Sequence, residues 1–273
     1  MRKTKNFKKV IVQPDRHKAI TRRNQNFVPA TNAHEKPEKP ADVNVTQIIH
    51  RVNKEKITSE DLVKFSKNYK RIGRIDPIFL GETIYIVGGG PSLEGFDFSS
   101  LDDKITIAVN KSFLHLKNPT VIYWSDYRVY RWYENEILAH KNAHKITNKP
   151  LPDNAGVINL LSTGKFGLEK DPHGLRDGGN SGYAAINLAY HFGAKKIILL
   201  GFDMKLINGK SHYHEGYDIN KKPDSKMYER LMLPSFDSMA EYLKKAKVQV
   251  YNASPESSIT CFQKIDLAQI SSV

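Results

Sequence analysis

From Glu82 onward the chain alternates apolar runs of four to seven residues with stretches whose apolar positions recur every three or four residues. TIYIV running into GGG, then ITIAVN, TVIYWSD, GVINLL, KKIILLGFD and VQVYNAS read as strands, each ending in small or polar residues. NSGYAAINLAYHFGA reads as a helix with an Asn or Ser cap, and MYERLMLPSFDSMAEYLKKA as a longer helical region interrupted by proline. Near-continuous apolar strands imply burial on both faces, and connections of this length imply parallel crossovers. The pattern predicts an α/β fold over residues 81–273: a doubly wound, mostly parallel, Rossmann-like sheet. Such sheets bind ligands outside the carboxyl ends of their strands, so the residues just past each strand are the candidates for chemistry.

The first 80 residues have a different pattern. Residues 45–80 carry Ile48, Ile49, Val52, Ile57, Leu62, Val63 and Phe65 at helical spacing, with Thr58 or Ser59 as a cap, and predict a short helical lead-in. Residues 25–44 hold three prolines and few large apolar groups, too little to offset the entropy of ordering, and predict a linker. Together with the residues before it this makes 1–44 a basic arm and linker. Of the formal net charge of +13, residues 1–24 supply nine cations against Asp15, a net +8, leaving an ordinary +5 for the rest. The arm could hold nucleic acid or an acidic partner electrostatically, or stand as a solvated tail.

Composition narrows the class. An apolar fraction of 40% supplies a core, and no run approaches the roughly 18 to 20 apolar residues of a membrane span. The N-terminus lacks the apolar segment of a secretory signal, which points to a soluble protein of a cytoplasmic space. Cys261 is the single thiol, so neither an intrachain disulfide nor a Cys-rich zinc site can form.

Four strand ends carry candidate chemistry. Gly88, Gly89, Gly90, Pro91 and Ser92 come after the first strand; glycines let backbone amides approach a phosphate, although the same residues would serve a ligand-free turn. The run is neither GxGxxG nor a Walker loop. Asn110 ends the second strand and Asp126 comes after the third; one could meet a base edge or sugar hydroxyl, the other a hydroxyl or a divalent ion, and both are also common turn formers. Asn180, Ser181 and Gly182 open a helix and form a second anion cradle, or simply a cap. Asp203 ends a later strand, and beyond it His212, Tyr213, His214 and Glu215 place two imidazoles and a phenol in one loop. An imidazole there could act as a general base; shared metal ligation by the two histidines is the rival reading.

GGGPSL, the strand-end VN, the block NSGYAAINLAYHFGAKKIILLGFDM, the His-Tyr loop and the closing VYNASPES resemble, in order, the bacterial sialyltransferases of lipooligosaccharide synthesis. They equally resemble the MptE-like group named for 6-hydroxymethylpterin pyrophosphokinase. The likeness covers about residues 82–265. The first resemblance implies a cytidine nucleotide-sugar donor, held by Gly88 to Ser92, Asn110, the region of Asp126, Ser181 and Gly182, with Ser254 and Pro255 near the base or ribose. It also implies a catalytic histidine, a tyrosine assisting the departing phosphate, and no required metal. Tyr213 matches; the family's histidine position is Gly216 here, with His214 nearer the tyrosine, and Arg176 is the closest substitute for an arginine that precedes the small-residue helix. The second resemblance implies diphosphate transfer with Mg²⁺, for which Asp126 and Asp203 are the available carboxylates.

The leading expectation is a nucleotide-sugar-dependent glycosyltransferase in which His214 or His212 deprotonates the acceptor and Tyr213 assists the leaving nucleotide. An Mg²⁺-dependent diphosphokinase is the alternative. A third reading is a non-catalytic nucleotide-binding or virion-associated protein with a nucleic-acid-binding arm. A compact Lys-rich chain also fits a phage-encoded protein.

Overall fold

A computed structural model describes residues 72–149, 156–214 and 224–270. The expected arm and linker at 1–44, most of the helical lead-in, and Glu215 and Gly216 lie outside the described residues. The part of the lead-in that is described, 72–80, contains no helix. Its Ile75 and Phe79 are buried in the main core, and the Phe79 amide bonds the Phe192 carbonyl at 3.0 Å, so this segment packs as part of the sheet domain.

The architecture is the expected doubly wound α/β sheet. Eight parallel strands, β1 (Thr83–Val87), β2 (Ile105–Val109), β3 (Val121–Trp124), β4 (His144–Thr147), β5 (Val157–Asn159), β8 (Lys196–Leu200), β9 (Gln249–Asn252) and β10 (Gln263–Lys264), lie in the order β10-β9-β8-β1-β2-β3-β4-β5. A separate parallel ribbon pairs β6 (Leu161–Gly164) with β7 (Gly174–Arg176). Helices α1 (Tyr127–Ala139), α2 (Ser181–His191), the short α3 (Ser225–Met227) and α4 (Leu233–Lys245) flank the main sheet.

Alternation along the strands produces two cores. Ile84 and Ile86 of β1 point to the face covered by α2 and α4, where Tyr183, Phe192, Phe236 and Met239 are buried. Tyr85 and Val87 point to the opposite face, against Val129, Tyr130 and Ile137 of α1 and the 3-10 turns holding Leu93, Leu101 and Phe113. With both faces covered, central strands can be apolar at every position, as IYIV and IILL are.

Strand order fixes where a ligand can enter. From β1 the chain builds outward through β2 to β5 on one side, and later through β8 to β10 on the other. The loops after β1 and β8 therefore diverge, which opens a crevice at this switch point. No helix among the described residues is long and apolar enough to cross a membrane.

Candidate functional site

The triple-glycine bend is held from behind by the end of β8. Gly88 and Gly90 donate their amides to the Leu200 and Gly201 carbonyls at 2.8 and 2.9 Å. A Cβ on Gly90 would collide with the Asp203 carboxylate and stand 2.6 Å from the Gly201 carbonyl oxygen, so packing alone demands glycine there. The bend leads into a single 3-10 turn, Pro91–Leu93, rather than a full helix, so it lacks a helix dipole of its own. Pro91 is buried. The Ser92 amide donates to Asp203 Oδ2 at 3.0 Å, its hydroxyl meets Ser254 Oγ at 3.0 Å, and Ser254 Oγ accepts the Phe202 amide at 3.1 Å. Pro91, Ser92 and fully buried Ser254 thus form a latch behind the bend, and Pro255 is exposed beyond it; none of the four lines the cleft expected to hold the nucleotide. The Gly89 amide has no acceptor among the described residues.

Asn110, Asn180, Ser181, Gly182 and Asp203 do line one cleft with Gly88, Gly89 and Gly90. Asn110 adopts φ 54, a left-handed conformation that asparagine tolerates, and its Oδ1 is buried without a hydrogen-bond partner. Asn180 caps α2 through Oδ1, which accepts the Tyr183 amide at 2.8 Å, and its Nδ2 is also buried and unpartnered. The first-turn amides of Ser181 and Gly182 have no acceptor within the helix, and the Ser181 hydroxyl is tied to Ser125 at the end of β3. Asp203 is 1% exposed; Oδ1 has no partner, and burial pushes its carboxyl up. Asp126 caps α1 at the Arg128 amide and holds the Arg128 guanidinium at 2.7 to 3.1 Å through both oxygens. It is a helix cap and ion-pair partner.

The histidine loop is seated on the glycine bend. Tyr213 donates its amide to the Gly89 carbonyl at 3.1 Å, and a Cβ on Gly89 would stand 2.9 Å from His212 Cδ2 and 3.2 Å from His214 Nε2. Glycine at 89 is what lets the imidazoles approach the turn. His212 lines the cleft, and its Nδ1 lies 2.9 Å from Ser211 Oγ. His214 stacks on its outer face at 5.1 Å between ring centroids, with His115 beyond at 6.4 Å. Burial, the neighbouring His214 and Lys111 push the His212 imidazole down to about 4, so it is neutral at pH 7.

Tyr213 is turned away from the cleft. Its ring packs on Phe98 at 5.6 Å and His115 at 5.0 Å in the α1-side core, and burial pushes its phenol up to about 12. Ser112, beside it, gives its own hydroxyl to the Gly88 carbonyl at 2.7 Å, leaving the phenol without a well-aligned partner. The expected role of Tyr213 at a leaving phosphate does not fit this placement.

The cleft measures about 1370 Å³ and runs along the strand ends from β8 to β4 and the β6–β7 ribbon. Arg128, Lys149, Lys165, Arg176 and Lys205 line it against Asp126, Asp177 and Asp203, an excess of cations that suits an anionic ligand. Arg176, the substitute noted from the sequence, is there, paired with Glu169 at 3.3 Å. Lys149, Lys165, Lys205 and the wall of Met227, Tyr228 and Met232 are additions that no motif in the sequence marks. Lys149 comes after β4, a strand whose residues HKIT carry no apolar run to signal its end. No group of three or more His, Cys, Asp or Glu among the described residues could hold a metal ion.

No protein-family model matches the chain, and no curated protein matches it. Among solved structures, the sialyltransferase CstII from Campylobacter jejuni in complex with the substrate analogue cytidine-5'-monophosphate is similar. The TM-score is 0.41 at 16% identity, over 67% of this chain and 84% of that one. A tyrosine-to-phenylalanine variant of that enzyme with CMP gives 0.38 at 16% identity over 67% and 85%, and the complex of CstII with CMP-3FNeuAc gives 0.37 at 16% over 67% and 84%. These values describe a distant likeness of fold, and the chain is similar to these sialyltransferases in that sense.

Proposed function

We propose that the chain is a nucleotide-sugar-dependent glycosyltransferase with His212 as general base. The observation that carries the reading is the seating of the His212 ring on Gly89, in the same cleft as the unpartnered Asn110 Oδ1, Asn180 Nδ2 and Asp203 Oδ1. Buried polar atoms without partners are costly, and several on one wall mark a place where a ligand completes the hydrogen bonding. The donor phosphate lies against the Gly89 amide and the first-turn amides of α2, with Lys165 and Arg176 contributing positive charge. A cytidine base follows from the sequence resemblance.

The reaction is an in-line displacement. The acceptor oxygen forms a bond to the anomeric carbon, the bond from that carbon to the phosphate oxygen breaks, and its electron pair stays on the departing nucleotide. The acceptor proton passes to His212, whose imidazole is neutral near pH 7 and therefore able to take up a proton. A pKa of about 4 makes the free base weak, and the arriving phosphate raises it by placing negative charge beside the ring. Fixed amides and cations stabilise the charge that develops on the leaving phosphate.

The diphosphokinase reading needs carboxylate oxygens free for Mg²⁺. Asp126 holds Arg128 through both of its oxygens, and Asp203 gives Oδ2 to the Ser92 amide and keeps only Oδ1 without a partner, so the pair offers one open carboxylate oxygen and the proposed reaction routes no step through a metal. Thermal shift and calorimetry with CMP, UMP and ADP, each in EDTA and in Mg²⁺, test the proposal. The expected outcome is CMP binding in EDTA, with His212→Gln keeping that affinity while losing roughly 10²- to 10⁴-fold in turnover of a CMP-sugar. Response to ADP alone, and only with Mg²⁺, would overturn it.

A further inference from the structure

Helix α2 carries a polar pair among the apolar residues it buries. Asn187 is 0% exposed, and His191, one turn on, is 7% exposed. Asparagine inside a helix competes with the backbone for hydrogen bonds and lowers helix stability, so a fully buried one needs partners outside its own helix. The hydrogen bonds of Asn187 go to two residues. Its Oδ1 accepts the Glu169 amide at 2.8 Å and the Arg176 amide at 3.2 Å, and its Nδ2 donates to the Glu169 carbonyl at 3.0 Å. His191 Nε2 lies 2.9 Å from the Gly174 carbonyl, which can only accept, so that nitrogen carries the proton. Its 3.2 Å approach to Asn187 Nδ2 is then a contact between two donors.

Glu169 and Arg176 are themselves an ion pair, with Glu169 Oε2 at 3.3 Å from Arg176 Nε. Both come from the ribbon: Glu169 from the connection between β6 and β7, Arg176 from the last position of β7. The two ribbon strands pair with each other and lie outside the eight-stranded sheet. A lone pair of short strands is marginal by itself, so the position of the ribbon depends on what it is tied to. Asn187 ties the connection and the strand end together, and His191 ties the start of β7. Gly164 on the facing strand makes room for the arginine, since a Cβ there would collide with Arg176 Nη1. The carboxylate meets the guanidinium at Nε, and the Arg176 side chain, 34% exposed, lines the cleft.

The same helix offers the cleft its first-turn amides at Ser181 and Gly182. Arg176 stands just ahead of them, joined to the Asn180 cap through a turn in which the Asn180 amide donates to the Asp177 carbonyl at 2.8 Å. One rigid helix thus supplies the amide cradle at its start and, through Asn187, a fixed seat for the arginine. We propose that Asn187 is a positioning residue that holds Arg176 in register with the α2 amides, so that guanidinium and amides meet one anion. This rests on the nucleotide reading of the cleft. A cation already held in place loses less freedom when the ligand arrives, and its charge is spent on binding rather than on being ordered. An apolar side chain at 187 would leave the Glu169 and Arg176 amides without partners and the ribbon free to shift.

A double-mutant cycle on the full chain tests this role, with CMP affinity measured by calorimetry in EDTA for the unmodified protein, Asn187→Ala, Arg176→Gln and the double variant. Each single variant should weaken CMP roughly five- to tenfold, and the double variant should be within about twofold of Arg176→Gln, because Asn187 acts through the arginine. The sensitivity of CMP affinity to NaCl should also shrink in Asn187→Ala as it does in Arg176→Gln, a change that loosened packing alone would not produce. Asn187→Ser, which leaves a smaller void, enters the same cycle with the same expectation if the alanine variant does not fold. Losses that multiply in the double variant, or full CMP affinity in a folded variant at 187, overturn the role of Asn187 and leave the nucleotide reading standing. Failure of the unmodified protein to bind CMP overturns that reading, and this role with it.

Discussion

His212 has the largest displacement from ordinary behaviour of any group lining the cleft, and it ties stability to pH. Unfolded, its imidazole titrates near 6.5; folded, it titrates at about 4 because burial and its neighbours disfavour the cation. Between those values the unfolded chain binds the extra proton, so this contribution is intact above about 6.5 and is lost as pH falls toward 4, on the order of 3 kcal/mol in all. Urea midpoints at pH 7.5 and 4.5 should therefore differ less in His212→Gln than in the unmodified protein; an identical pH dependence would contradict the environment described. Tyr213 makes the opposite prediction. Its phenol lies in the core with no well-aligned partner, so Tyr213→Phe should leave turnover within about twofold and stability unchanged or slightly raised. A loss of tenfold or more would return the hydroxyl to the phosphate. The sequence placed Tyr213 correctly in the loop and could not show its direction, because alternate residues of a bent segment face opposite ways. His212 and His214 illustrate the same point: both pack on Gly89, and His212 is the one that lines the cavity.

Among the elements, α2 separates stability from ligand binding most cleanly. Asn180→Ala removes the cap to Tyr183 and should cost about 1 kcal/mol, read from the urea midpoint. Asn180→Asp keeps a capping oxygen and so should retain stability, while placing a carboxylate beside the proposed phosphate position and weakening CMP binding tenfold or more. Unchanged CMP affinity in the aspartate variant would confine Asn180 to capping. The helix itself was legible from NSGYAAINLAYHFGA: six of its eight buried residues are Tyr183, Ala184, Ala185, Ile186, Leu188 and Ala189, and the other two are the polar Asn187 and His191. Two other elements were not. Strand β4 reads HKIT, and its buried Lys145 is accommodated by donating to the His140 and Ala143 carbonyls at 2.6 and 3.0 Å, an arrangement no apolar pattern encodes. Helix α1 mixes aromatic and charged residues and bends at Tyr133, where φ is −129. Its start is marked by Asp126, read from the sequence as a ligand or a turn former, which caps the helix and also lines the cleft.

For the molecule as a whole, the apolar strand runs were sufficient to predict a parallel sheet covered on both faces, and with it a crevice at the strand ends. Which charges converge there depended on strand order and on the β6–β7 ribbon, whose residues LSTG and GLR are too short and too polar to announce themselves. The excess of cations in the cleft gives a measurable property: CMP affinity should fall roughly three- to tenfold between 50 and 500 mM NaCl as screening shortens the reach of Lys149, Lys165 and Arg176. An affinity indifferent to salt would mean that neutral amides alone hold the phosphate. The amide of Tyr213 bonded to the carbonyl of Gly89 has a wider bearing. In the proposed reaction it would couple proton removal and departure of the nucleotide to a single joint, so a change of donor that shifted the bend would also misalign the imidazole. Diversification of this scaffold toward new substrates would thereby be channelled to parts of the cleft that do not bear on that joint.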